Sequence, residues 1–248
     1  MTFVMKYRPA ALEAIVGQPR AVRFLARFID SLTESASSAA VILHGAPGTG
    51  KTTAAWAIAR RLGCDTEQAE VGGVIEIASG QQDGRAVSEM ALTLRHRPMY
   101  GSGWRVAIVN EADAMTRQAE LVWLDVLENL PPRSVVVFTT NSLAGMSERF
   151  QSRCQVVEFG ADGLDEADTL VRSILAAEGL AAPPAEARFG RVAGGVNYRL
   201  AVQQAHRFAL TGEVPEQERR GVAEIRPLTP AQKAWVTRRA RQKNPRTK

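Results

Sequence analysis

The sequence predicts an α/β fold of three layers: a mainly parallel sheet with helices on both faces, followed by a small all-helical domain. Three observations predict it. Short runs rich in Val and Ile alternate with longer segments of helical periodicity through about residue 160. Such alternation is the pattern of parallel strands joined by helical crossovers. A glycine-rich loop, GAPGTGKT, falls between the first of these runs and the helix after it. Beyond Gly160 the texture changes to helical segments with no strand between them. The implied organisation is a sheet domain over 1–160, a helical domain over 161–212 and a tail over 213–248.

Taken in order, RAVRFLARFIDSL carries Val22, Leu25, Phe28, Ile29 and Leu32 at helical spacing. SLTESASSAA is a polar loop of small residues. AVILHG reads as a short buried strand, and TAAWAIARRL after the glycine loop is built from good helix formers. VIEIA is a strand and GRAVSEMALTLRHR, residues 84–97, a helix. The GSG turn then precedes the strand WRVAIVN. TRQAELVWLDVLENL is a helix that stops before Pro131-Pro132, because the residue before a proline is steered out of the helical region. Asp113 is the expected N-cap ahead of this helix. SVVVFTTN and CQVVEF complete the strands. DEADTLVRSILAAEGL, PAEARFGRVA and VNYRLAVQQAHRFAL read as the helices of the second domain, and PAQKAWVTRRARQK as one helix of the tail.

With 45% apolar and 23% charged residues in 248, the chain can bury a substantial core. No apolar run approaches the roughly 20 residues a membrane-spanning helix needs. The start, MTFVMKYRPAAL, lacks the layout of a signal segment, so no membrane and a cytoplasmic location are expected. Cys64 and Cys154 stand alone, which excludes a CxxC-type zinc site and a disulfide framework. The net charge of +5 is uneven: residues 216–248 hold ten Lys/Arg against three Asp/Glu. A basic tail on a near-neutral body suggests an anionic partner, nucleic acid first, or else a solubilising terminus.

Gly45, Ala46, Pro47, Gly48, Thr49, Gly50, Lys51 and Thr52 fit the pattern G-x-x-x-x-G-K-[ST], with Thr53 next. The glycines let the backbone turn so that its N–H groups cradle phosphate oxygens. Lys51 places a point charge on the outer phosphates, and Thr52 offers a hydroxyl to Mg²⁺. The following helix aims its positive end at the same anion. The strand–loop–helix context makes this a site for a nucleoside triphosphate, ATP, with Mg²⁺. In P-loop proteins a second strand delivers an acid to the metal shell and a nearby residue orients the attacking water. VAIVNEAD supplies this element. Glu111 is the candidate base. Asn110 stands where the metal-shell acid would be, and its carbonyl can accept from a metal-bound water but brings no charge.

These motifs resemble AAA+ ATPases, and within them the clamp-loader small subunits of the replication factor C type. Met5, Lys6, Tyr7, Arg8 and Pro9, then Val16, Gly17 and Gln18, are similar to the family's N-terminal motif, which implies that they pack around the adenine. Thr139-Thr140-Asn141-Ser142 resembles sensor 1, where Asn141 would align the attacking water. Gln151-Ser152-Arg153-Cys154 is similar to the family's SRC motif, whose arginine reaches a neighbouring subunit's ATP. Gly194-Gly195-Val196-Asn197-Tyr198-Arg199 resembles the sensor 2 region. Arg199 is the candidate γ-phosphate contact there, although strict spacing points to Asn197. The resemblance covers about residues 3–210.

Four departures stand out. Asn110 replaces the usual acid. Ile77-Ala78-Ser79-Gly80 replaces the family's Asn-Ala-Ser-Asp. The sensor 2 spacing is offset, and the residues after Gly212 are too few for the family's helical collar. The zinc-binding cysteines of the bacterial loaders are also missing, which leans the likeness to archaeal, eukaryotic or phage loaders.

The resemblance implies a P-loop AAA+ subunit with a helical lid over 161–212, and the family's collar is expected to be absent. It implies ATP hydrolysis in an oligomer, with itself or with other clamp-loader subunits. Primer–template DNA and a sliding clamp are the implied partners. The helix at 84–97 would face the duplex through Arg85, Arg95 and Arg97, which reads backbone and not sequence. Trp235 among Arg238, Arg239, Arg241 and Lys243 would stack on bases or anchor a tail helix. Two alternatives remain at this level: a nucleotide-gated subunit with little turnover, and another DNA-processing AAA+ protein of the branch-migration, recombination or phage accessory kind.

Overall fold

Alternation with a period of two puts every second residue of a strand on the same face, and here both faces are apolar. A computed structural model describes residues 1–69, 71–80 and 82–214. Five strands form one parallel sheet in the order β2-β3-β4-β1-β5. They are β1 (Ala39–Gly45), β2 (Val74–Ile77), β3 (Arg105–Val109), β4 (Ser134–Thr140) and β5 (Gln155–Phe159). The register sets Val41 beside Val137 and Ile108 beside Val137 across the two neighbours of β4. Val41, Leu43, Val106, Ile108, Val135 and Val137 pack on one side of the sheet against Leu25 and Ile29 of α2 (Pro19–Ser35) and Ala55 and Ile58 of α3 (Lys51–Arg61). Ala40, Ile42, Ala107, Val109, Val136 and Phe138 pack on the other against α4 (Gly84–Thr93) and α5 (Arg117–Glu128). These two cores make the three layers.

Local signals place the helices. Pro19 opens α2 at a position where its missing N–H costs nothing. Asp83 accepts from Ala86 N at 2.8 Å at the start of α4. Thr116, not Asp113, caps α5, accepting from Ala119 N at 3.1 Å. Asp113 instead sits in the short turn Ala112–Ala114 and accepts from Thr140 Oγ1 at 2.8 Å. The helix expected over 84–97 ends at Thr93, so Arg95 and Arg97 lie exposed in the turn beyond it. Pro98 disfavours helix just ahead of it.

A third core joins α7 (Leu164–Ala177) and α8 (Tyr198–Thr211) around Val171, Leu175, Phe189 and Ala201, with Phe3 of the N-terminal turn α1 (Phe3–Lys6) inserted among them. The middle helix expected over PAEARFGRVA does not form. Arg172 takes the carbonyls of Pro183 at 2.8 Å and Pro184 at 2.9 Å, and the buried Asp168 takes Phe189 N at 2.9 Å. Left-handed Gly190 and Gly194 then turn the chain into a small antiparallel hairpin, β6 (Arg191–Val192) with β7 (Gly195–Val196). Side chains on a neighbouring helix thus outbid the helical hydrogen bonds of this segment.

Met1–Pro215 form one compact unit. Among the described residues no helix is long and apolar enough to cross a membrane. The expected tail helix and Trp235, Arg238, Arg239, Arg241 and Lys243 lie outside the described residues.

Trp123, Phe138 and Phe150 are fully buried and meet edge to face at 5.0 Å, at the heart of the second core. Phe138→Ala is expected to destabilise the fold by about 3–5 kcal/mol, because the cavity it leaves cannot collapse between two aromatic neighbours. Urea unfolding of the purified chain measures this.

Candidate functional site

All five strands point their carboxyl ends to one edge. The connections leaving β1 and β4 run to opposite sides of the sheet, which opens the crevice where α/β folds bind ligands. A cavity of about 540 Å³ lies there. The N-terminal motif lines it through Tyr7, Arg8, Pro9 and Val16, and the glycine loop through Pro47, Gly48, Thr49, Gly50, Lys51, Thr52 and Thr53. Glu111, Asn141 and Arg199 complete the expected set. Gly17, Gly45, Asn110 and Arg153 do not line it.

The loop follows from its residues. β1 ends at Gly45 and α3 starts at Lys51. Thr49 Oγ1 donates to Ala46 O at 2.9 Å and pins the loop on itself. Lys51 is only 8% exposed. Its ammonium donates to Gly45 O at 2.7 Å, Ala46 O at 2.8 Å and Asn141 Oδ1 at 3.0 Å. Burial pushes its pKa down to about 8, against the upward pull of Asp113; Arg199 lowers it further and Glu111 raises it. Lys51 and Arg199 thus share one cavity, and it is the loss of water around the ammonium, more than the neighbouring charges, that weakens its hold on the proton.

Asn110 is a hub behind this end. Its Oδ1 accepts from Thr52 Oγ1 at 3.2 Å and Thr139 Oγ1 at 3.1 Å. Its Nδ2 donates to Glu76 Oε1. The carboxylate can only accept, so it fixes which way the amide faces. Gln82, which is buried, donates through Nε2 to the carbonyls of Asn110 and Glu111. Glu111 itself is left-handed, with φ 51° and ψ 52°, a conformation that costs a side-chain-bearing residue on the order of 1–3 kcal/mol. This turn carries its carboxylate to Ser79 Oγ, which donates to it. Among the described residues no group of three or more His, Cys, Asp or Glu side chains could hold a metal; the oxygens available near the loop are Thr52 Oγ1 and Asn110 Oδ1.

The two candidates near residue 198 sit differently. Asn197 spends its side chain capping α8, accepting from Leu200 N at 2.9 Å. It also packs so closely on the loop that a Cβ at Gly48 would lie 1.9 Å from its Oδ1. Arg199 lines the cavity instead. Arg153 lies away from it, just past the short helix α6 (Glu148–Gln151). Its guanidinium donates through Nε to Glu128 Oε1 at 3.1 Å, through Nη2 to the same oxygen, and through Nη1 to Arg149 O at 2.9 Å. Arg85 forms an exposed pair with Glu89 at 2.9 Å. Ile15, Thr139, Thr140 and Tyr198 in the lining and Glu76, Ser79 and Gln82 behind it had no site role from the sequence. Thr139, Thr140 and Tyr198 stood inside the sensor-like segments, and Ser79 and Gln82 were polar residues just past a strand end.

A parallel sheet in this order, with a phosphate-type loop on β1 and a helical unit over it, defines a P-loop AAA+ protein. The chain belongs to the clamp-loader family: the family described as DNA polymerase III, delta subunit, matches residues 17–162. It is 32% identical over 167 residues to a replication factor C large subunit of Methanoregula boonei, covering 65% of this chain and 32% of that protein. It is 28% identical over 177 residues to a replication factor C small subunit of Methanocella arvoryzae, covering 71% and 53%. The chain thus spans from about a third to about half the length of these relatives. The structure of the Thermotoga maritima RuvB Holliday junction branch migration motor shares the fold, at 20% identity and a TM-score of 0.62 over 82% of this chain and 65% of that one.

The Lys51 ammonium is expected to titrate near pH 8, and lower still in Asp113→Asn, which removes the strongest neighbouring support for its charge. NMR detection of the lysine side-chain resonances checks both values.

Proposed function

We propose that this chain is an ATP-binding and ATP-hydrolysing clamp-loader-type subunit that acts in DNA replication, works in an oligomer and contacts primer–template DNA. One cavity lined both by Lys51 and Arg199 and by the apolar or aromatic Tyr7, Pro9, Ile15 and Val16 carries the reading. A nucleoside triphosphate needs both kinds of wall, apolar surface for its flat base and positive charge for its phosphates. In this reading 1–160 is the nucleotide-binding domain, 161–212 a lid that reports occupancy through Arg199, and the basic 213–248 a contact for an anionic partner.

Bound phosphates would replace the carbonyls that now hold the Lys51 ammonium. Thr52 would face the magnesium ion, which supplies charge neutralisation on the phosphate oxygens. Asn110 would serve that shell through water, since it brings no charge of its own. Glu111 would take a proton from the attacking water, after release from Ser79, and Asn141 would align that water. Arg153 would complete the next subunit's site, leaving its pairing with Glu128 to do so. Arg85, Arg95 and Arg97 would meet DNA phosphates, and a sliding clamp and sister subunits would be the protein partners. One observation favours a second reading, a nucleotide-gated subunit with little turnover: the Glu111 carboxylate is already engaged by Ser79.

Steady-state ATP hydrolysis with primed DNA, and with the sister subunits if the chain needs them, tests the proposal. Glu111→Gln is expected to lower kcat by about 10²–10⁴-fold with ATP still bound. Arg153→Ala is expected to abolish the part of the rate that depends on assembly. Unchanged turnover in Glu111→Gln would overturn the assignment of the base.

The depressed Lys51 pKa adds a pH signature. Below about pH 8 the free site already carries the ammonium, so affinity for ATP changes little through this group. Above it the free lysine is neutral and must take up a proton to meet the phosphates. ATP affinity is therefore expected to fall by up to about tenfold per pH unit above 8. Calorimetric titration in buffers of different ionisation enthalpy should show the matching proton uptake.

A further inference from the structure

Tyr198 was not among the residues the sequence pointed to, yet it touches three separate segments of the site. It opens α8, is 8% exposed, and lines the same cavity as Lys51 and Arg199. Its backbone N–H donates to Gly48 O in the phosphate loop at 3.1 Å. Its hydroxyl lies 3.2 Å from the carbonyl oxygens of both Asp162 and Gly163, in the connector between β5 and α7.

The same hydroxyl explains two glycines. A Cβ at Gly17 would lie 1.7 Å from it, and one at Gly163 would lie 2.5 Å from it. Both positions also have positive φ, +76° and +105°. Gly17 does not line the cavity. Its lack of a side chain makes the seat for the phenol. Burial, then the charges of Glu166 and Asp162, push this phenol up to about 12, so it remains a donor throughout the neutral range.

We propose that Tyr198 is the positioning residue that couples the occupant of the cavity to the lid. The ring meets the occupant, and the hydroxyl, seated between Gly17 and Gly163, fixes the connector about which 161–212 moves. The proposal rests on the nucleotide-binding reading above. Tyr198 and Arg199 are successive residues of one helix, so a displacement of the ring by a bound nucleotide moves Arg199 and the Gly48 contact with it. The backbone bond to Gly48 would survive a change of side chain, whereas the bonds to the connector are made by the phenol alone, which a tyrosine that only filled the third core would not need.

The test is hydrogen exchange on the full chain, with and without ATP, in the wild type, Tyr198→Phe, Tyr198→Ala and Gly17→Ala. Exchange reads local opening segment by segment. In the wild type, ATP should slow exchange both at 46–50 and at 161–164. Tyr198→Phe keeps the ring and loses the hydroxyl. It should bind ATP within about threefold of the wild type and still protect 46–50, but lose about tenfold of the ATP-dependent protection at 161–164. Gly17→Ala, whose Cβ would meet the hydroxyl and the ring carbon that bears it, should also lose the ATP-dependent protection at 161–164.

Equal connector protection by ATP in Tyr198→Phe and the wild type would overturn the proposal alone. So would losses at both segments that track a lowered melting temperature, the mark of a merely structural tyrosine. If Tyr198→Ala fails to fold, the phenylalanine variant still decides. A wild type that ATP protects nowhere would overturn the nucleotide reading and this coupling with it.

Discussion

The buried ammonium of Lys51 is the group on which the rest of the site depends. An ammonium taken out of water must have its three protons bonded, or it gives one up. Here Gly45 O, Ala46 O and Asn141 Oδ1 take them. These acceptors come from the end of β1, the loop and the end of β4, and only the adjacency of β1 and β4 in the sheet brings them within reach. The loop is therefore held open around a cation before any ligand arrives. The cost of burial appears as a pKa of about 8, and an anionic ligand would offset it by favouring the ammonium.

The amide at Asn110 follows from its surroundings. On sequence grounds it is an acid lost from a metal shell. In the structure it donates to Glu76 and accepts from the hydroxyls of Thr52 and Thr139. An aspartate there would set one carboxylate against another and lose a donor, whereas the amide satisfies both sides. The same cluster holds Glu111 in a left-handed turn, with Gln82 bonded to the two carbonyls that flank it and Ser79 on its carboxylate. The geometry of the candidate base is thus set by residues from β2 and the segment before α4.

The helical unit is tied to the sheet at few points, and those points bear on the cavity. Tyr7 and Lys6 both bond Glu178 at 2.6 Å at the end of α7, Tyr198 and Arg199 lean on Gly48, and Gln18 Nε2 bonds Gly160 O at 2.8 Å. Each tie starts from a residue in or beside the cavity lining.

The sequence by itself determined the strands, most helices, the parallel sheet and the phosphate loop. These rest on local periodicity and on glycine, proline and capping residues, which act within a few positions of the chain. It also named more than half of the residues that line the cavity, because the loop and the ends of β3 and β4 are contiguous motifs. Only the tertiary structure decided the rest. It put Arg199 in the cavity lining and spent the side chain of Asn197 on capping α8. It replaced a helix over 184–193 with a hairpin, because Arg172 and Asp168 on α7 took that segment's backbone groups. It gave Gly17 to the phenol of Tyr198 and Asn110 to Glu76. Each of these depends on a contact between segments far apart in sequence, and such contacts leave no periodic mark on the chain.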